Sequence, residues 1–126
     1  MGTRFCATLE APIHERIKQL LVEHDERDTN LIFRSLRNTG RVSKNSVSDQ
    51  VVEILKNPDA RFENIHHLVK GADGRKALET GDVDAGLIWA GQVQGLINDI
   101  PTVDELITRI IREARTIIQG RLHDIM

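Results

Sequence analysis

A mostly α-helical segment with one or two short strands is the fold class this 126-residue sequence predicts. Three observations carry that expectation. Apolar residues recur at helical spacing in several separate stretches, only two short runs have the composition of strands, and no strand–helix–strand unit is complete. The length suits one modest domain able to bury a real core.

The first eight residues, Met1-Gly2-Thr3-Arg4-Phe5-Cys6-Ala7-Thr8, read as the end of a strand running into a loop. Ala11-Pro12-Ile13 places a proline in a helix's first turn, where a missing N–H costs nothing. Ile13, Ile17, Leu20 and Leu21 then share one helical face, and the charged residues 23–28 end that helix. Leu31-Ile32-Phe33 is a short apolar run of strand type, followed by a loop over residues 37–41. Val47, Val51, Ile54 and Leu55 mark the next helix, which stops at Asn57-Pro58 because a residue before proline avoids the helical region. Phe62, Ile65, Leu68 and Val69 mark a third helix, expected to end at Gly71 in a left-handed cap. Asp73 can cap a short helix that Gly81 closes.

Residues 85–97 are apolar nearly all round, which predicts a helix buried on most sides. Gly86, Gly91 and Gly95 cost such a helix roughly 1 kcal/mol each against alanine, so packing or a ligand must require them. The last helix has the clearest start, a capping box between Thr102 and Glu105. Its apolar stripe runs from Leu106 through Ile107, Ile110, Ile111, Ala114, Ile117 and Ile118 to Leu122, over about 30 Å.

A net charge of −2 leaves no footprint for a phosphate backbone, and 3% aromatic residues offer few stacking platforms, so no nucleic-acid partner is expected. Cys6 stands alone, which rules out an internal disulfide and suits a reducing cytoplasm. No leader and no apolar run near 18 residues is visible, so the expectation is a cytoplasmic protein without a membrane partner. Cys6 reads as a small buried residue, and His66 and His67, about 100° apart on a helix, as surface histidines. Arg34, Arg37, Arg41 and Lys44 could hold an anion such as an NAD(P)H phosphate. The alternative, preferred on the sequence, is that they pair with Glu23, Asp25, Glu26 and Asp28. No glycine-rich nucleotide fingerprint and no metal-binding motif occurs.

Three stretches together resemble one family. They are Met-Gly-Thr-Arg-Phe-x-Ala-Thr-x-Glu-Ala-Pro-x-His at residues 1–14, Phe-Arg-Ser-Leu-Arg-Asn-Thr-x-Arg-Val at 33–42, and Gly-Asp-x-Asp-Ala-Gly at 81–86 with Ala-Gly-Gln-Val-Gln-Gly-Leu-Ile at 90–97. In order and spacing they are similar to the nitronate monooxygenase (2-nitropropane dioxygenase-like) flavoproteins. Related flavin-dependent enoyl-ACP reductases share a weaker version. The resemblance implies the C-terminal part of an FMN-binding TIM barrel with an added helical domain. Residues 1–24 would be the last barrel strand and its helix, 25–84 the helical added region, and 85–126 the glycine-rich and terminal helices. It implies FMN as cofactor, and a nitronate, a quinone or NAD(P)H as the small-molecule substrate.

It also implies no catalytic residue within this chain, since the family's catalytic histidine aligns with none of the five here. His14 aligns with a histidine that opens a helix. Such barrels commonly hold a phosphate with the loops after strands seven and eight. Gly2 and Thr3 are therefore the candidate cofactor-binding residues: a glycine lets backbone N–H groups approach phosphate oxygens, and a threonine adds a hydroxyl. A glycine that only permits a bend is the other reading. Gln92 is the third candidate, donating to flavin or substrate; alternatively Gln92 and Gln94 cap buried backbone while Gly91 and Gly95 allow close packing. Trp89 stands where some members have Trp-Ser-Ala-Gly, so no serine role carries over. The missing barrel half is the expected partner. Without it an exposed apolar patch should drive self-association. A non-catalytic helical interaction module is the rival from a different class.

Overall fold

Six α-helices and one antiparallel two-stranded sheet are present among residues 2–121, which the computed structural model describes. In order they are α1 (Gly2–Cys6), α2 (Glu15–Glu23), β1 (Thr29–Ile32), β2 (Gly40–Ser43), α3 (Ser46–Ile54), α4 (Phe62–Ile65), α5 (Gly71–Thr80) and α6 (Val103–Thr116). A 3-10 turn covers Gln92–Leu96, and a π-helical turn, Ile117–Arg121, extends α6. Leu122, the last residue of the expected stripe, lies outside the described residues.

The opening differs from its expectation. Instead of a strand end, residues 2–6 form helix α1. Threonine, phenylalanine and cysteine favour strands locally, but tertiary bonds override so weak a preference. Arg4 reaches the carbonyls of Ala7 and Asp99, and the Thr8 hydroxyl donates to the Phe5 carbonyl at 2.8 Å, closing the helix. Helix α2 follows the expected pattern, burying Ile17 and Leu21 and ending at Glu23, the first residue of the charged run. Its cap is His14, whose Nδ1 accepts the Arg16 N–H at 3.1 Å.

β1 and β2 pair from Thr29↔Ser43 to Ile32↔Gly40. β2 begins inside the stretch expected as a loop; four residues are too short to show a period of two before pairing supplies it. Asn45 caps α3 in a box with Ser48, and α3 ends at Ile54, short of Asn57-Pro58. The third expected helix shrinks to α4, and Gly71 opens α5 rather than capping anything. Gly81 does close α5, at φ 75, the left-handed value that glycine adopts without strain.

The largest correction concerns residues 85–97, which form no continuous helix: only Gln92–Leu96 coil, as a 3-10 turn. Residues 87–90 run extended beside β2, through a Val42↔Trp89 bridge and a Ser43 N–H bond to the Ile88 carbonyl at 2.8 Å. A continuous apolar run cannot by its periodicity distinguish a buried strand from a buried helix. Its composition has a different cause. Leu87 enters the cluster of Ile32, Val42, Val51 and Ile65; Ile88 joins Ile17 and Ala77; Ala90 and Ile97 join Ala7 and Leu21. One segment thus serves three cores, each fully buried aliphatic adding roughly 1.5–3 kcal/mol. The glycines permit close approach: a Cβ at Gly95 would lie 2.6 Å from the Glu26 nitrogen, and one at Gly86 would strike the Asp73–Gly74 backbone. The Thr102–Glu105 box forms as read, but among the described residues of the stripe only Leu106 is buried.

Candidate functional site

The first turn of α1 leaves backbone N–H groups without intrahelical acceptors, as any helix start does. Gly2 stands there, and a Cβ built on it would meet nothing within 4 Å. The Thr3 hydroxyl accepts the Gly91 N–H at 2.9 Å, which leaves its own proton free to be donated. That bond places Gln92, next along the chain and exposed, beside Thr3. The tertiary structure therefore brings together the three candidates, Gly2, Thr3 and Gln92, from opposite ends of the chain. The start of α1 thus combines open space at Gly2 with an oriented hydroxyl at Thr3.

Arg4 anchors this region. It meets Asp99 at 2.6 Å, with its side chain only 14% exposed, and Asp99 also meets Arg109 of α6 at 2.8 Å. A carboxylate shared by two guanidinium groups ties α1 to α6, over a separation in sequence that no motif reveals. Gln94, three residues beyond Gly91, is fully buried, and its amide nitrogen donates to the Asp25 and Asp28 carbonyls at 3.0 and 2.9 Å. Gln94 thus caps buried backbone, as the alternative reading of this segment has it.

The 81–86 motif is explained by structure as well. Asp84 accepts from the Ser46 N–H and hydroxyl at 2.9 and 2.7 Å, and Asn45 donates to the Val83 and Gly86 carbonyls. The hydrogen bonds from Ser46 hold the Asp84 carboxyl below its usual range. An Asn-x-x-Ser cap was there to be read in the sequence; its loop partners were not.

The expected pairing of the basic residues does not form. Among the described residues Arg34, Arg37, Arg41 and Lys44 join no ion pair, and Asp25 pairs with Arg27 instead. Arg27 is two residues from Asp25 and needs no tertiary ordering to reach it, whereas Arg41 donates to the Thr29 hydroxyl across the hairpin. His66 and His67 are exposed, and Cys6 is half-buried against the Ala7–Leu21 cluster. The described residues contain no group of three metal-binding side chains, and none of their helices is long and apolar enough to cross a membrane.

A family model described as nitronate monooxygenase matches residues 1–113. The chain belongs to the nitronate monooxygenase family. Among solved structures, this family member is similar to FabK from Thermotoga maritima, with TM-score 0.86 and 28% identity, over 100% of this chain and 39% of that one. A point mutant of the same FabK matches with TM-score 0.80 and 26% identity, over 100% and 36%. The chain therefore spans about two-fifths of the FabK chains it matches, and the helix-rich architecture with two short strands corresponds to a piece of them.

Proposed function

We propose that this chain supplies the flavin-phosphate side of an FMN-dependent oxidoreductase. The convergence of Gly2, Thr3 and Gln92 at the start of α1 carries the reading, and membership of the nitronate monooxygenase family supports it. The α1 N–H groups and the Thr3 hydroxyl would hold the phosphate, with Gln92 donating to flavin or substrate. When bound, FMN supplies the redox chemistry; the protein binds and orients it. The rest of a TIM barrel, supplied by a longer protein, would contribute the catalytic base, and the cytoplasm is the proposed location. Oxidation of nitronates and reduction of quinones or flavin by NAD(P)H are the activities proposed from the family.

The FabK likeness favours a second reading, a flavin-dependent enoyl-ACP reductase. The protein extended to the length of its FabK relatives should copurify with FMN, whereas this chain alone, with one phosphate loop, should retain little through gel filtration. Turnover of a nitronate against an enoyl thioester plus NAD(P)H then separates the two activities. An extended protein free of flavin, and unable to take up added FMN, would refute the proposal.

A further inference from the structure

Helix α1, where the proposed phosphate site begins, has little of its own to hold it in place. Its five residues make scarcely more than one turn, too short to persist in water unaided. None of the five is fully buried, and Cys6, which packs against a core cluster, stands at the end away from Gly2. The direction of the first turn therefore depends on polar bonds from Thr3 and Arg4. Thr3 holds the Gly91 N–H. Arg4 makes the longer reach: its guanidinium donates to the Asp99 carbonyl at 3.0 Å and to Asp99 Oδ1 at 2.6 Å, and back to the Ala7 carbonyl at 3.3 Å.

Asp99 is itself held. Its other oxygen, Oδ2, lies 2.8 Å from Arg109 of α6, so the two arginines fix the carboxylate between them. Glu105, the second acidic group of this neighbourhood, accepts from the Thr102 N–H and hydroxyl at 2.9 and 3.0 Å. It joins neither arginine in an ion pair among the described residues. Arg4 is thereby left one fixed partner. A planar guanidinium engaged through both terminal nitrogens transmits direction as well as attraction, which an ammonium does not.

We propose that Asp99 is a positioning residue for the flavin phosphate: through Arg4 it aims the first turn of α1, and so it makes the protein prefer FMN to riboflavin. The inference rests on the flavin-phosphate reading above and adds to it a residue 95 positions from Arg4 in the sequence. Charge and geometry act here in opposite directions, so the sign of the effect is decisive. Removing the carboxylate leaves Arg4 and Arg109 unneutralised, which by itself strengthens attraction for a phosphate. Loss of aim weakens it.

The protein extended to the length of its FabK relatives is titrated with FMN and with riboflavin, which is FMN without its phosphate. Asp99→Ala should lower FMN affinity about ten-fold, the size of one hydrogen bond to a charged group, and leave riboflavin affinity unchanged. Asp99→Asn, close in shape and milder, should move the FMN-to-riboflavin ratio several-fold the same way even if the alanine variant fails to fold. Arg4→Lys, which keeps the charge and loses the fork, should also lower the ratio. Equal losses for the two flavins would assign Asp99 to folding alone, and an unchanged or raised ratio in Asp99→Asn would show that α1 needs no aiming; either result overturns the proposal. A parent protein that binds both flavins alike would overturn the flavin-phosphate reading with it, whereas a parent that prefers FMN keeps that reading whatever the variants do.

Discussion

Gly2 and Thr3 are neighbours with opposite structural burdens, and that contrast separates cofactor binding from folding. A side chain at Gly2 meets open space, and valine is a better helix former than glycine by roughly 0.3 kcal/mol. Gly2→Val should therefore leave apoprotein stability within about 0.5 kcal/mol of the parent. If a phosphate occupies that space, the valine displaces it from its N–H donors. Each donor lost to a charged group costs about 1.5–3 kcal/mol, or roughly ten- to a hundred-fold in FMN affinity. Thr3→Val acts differently because the hydroxyl accepts the Gly91 N–H. An unpaired, part-buried donor remains, so the apoprotein itself should lose about 1–3 kcal/mol, and Thr3→Ser should restore it. Flavin titration of the full-length protein and denaturant melting of its apoprotein measure the two effects. FMN held by Gly2→Val as tightly as by the parent would refute the phosphate assignment. Thr3→Val melting like the parent would remove the Thr3–Gly91 bond from the explanation of the fold.

Gln94→Glu turns an oxygen towards two carbonyls and buries a charge, so at pH 7 it should cost more than about 3 kcal/mol. Gln94→Met, which also deletes the unpartnered buried Oε1, should cost about 1–3 kcal/mol; equal melting of the two variants would contradict the geometry. Gly86→Ala, which forces a methyl group against the Asp73–Gly74 backbone, should destabilise by about 1–3 kcal/mol in the same assay. The lowered Asp84 carboxyl stabilises the fold above its ordinary value of 3.8, and that contribution is lost as pH falls through the depressed one. Asp84→Asn should accordingly be less stable than the parent at neutral pH, the gap closing in acid melts below about pH 3. Ile107, Ile111 and Ile118 of the terminal helical region are 47–59% exposed, so this chain should self-associate in sedimentation experiments and Ile111→Glu should weaken that.

Much of the helical framework was legible because its causes are local. The Thr102–Glu105 box, the charged stop after Glu23 and the left-handed Gly81 cap each act within a few residues. The family was legible for a related reason: the stretches that carry the resemblance include glycines at close backbone approaches, Gly86 on Asp73 and Gly95 on Glu26, where a side chain would clash. The conformation of residues 85–97 depended on the tertiary structure. An apolar run shared among three cores has no periodicity of its own, and it is pairing with Val42 and Ser43 that makes residues 87–90 extended. The opening was settled in the same way, its strand-like composition yielding to the Arg4–Asp99 contact 95 residues away. Gly2, Thr3 and Gln92 could each be named from the sequence, but their meeting could not, because it depends on one long-range bond from Gly91 to Thr3. Local chemistry sets where helices start and stop; which segments face each other is settled by burial and hydrogen bonding that exist only once the chain has closed on itself.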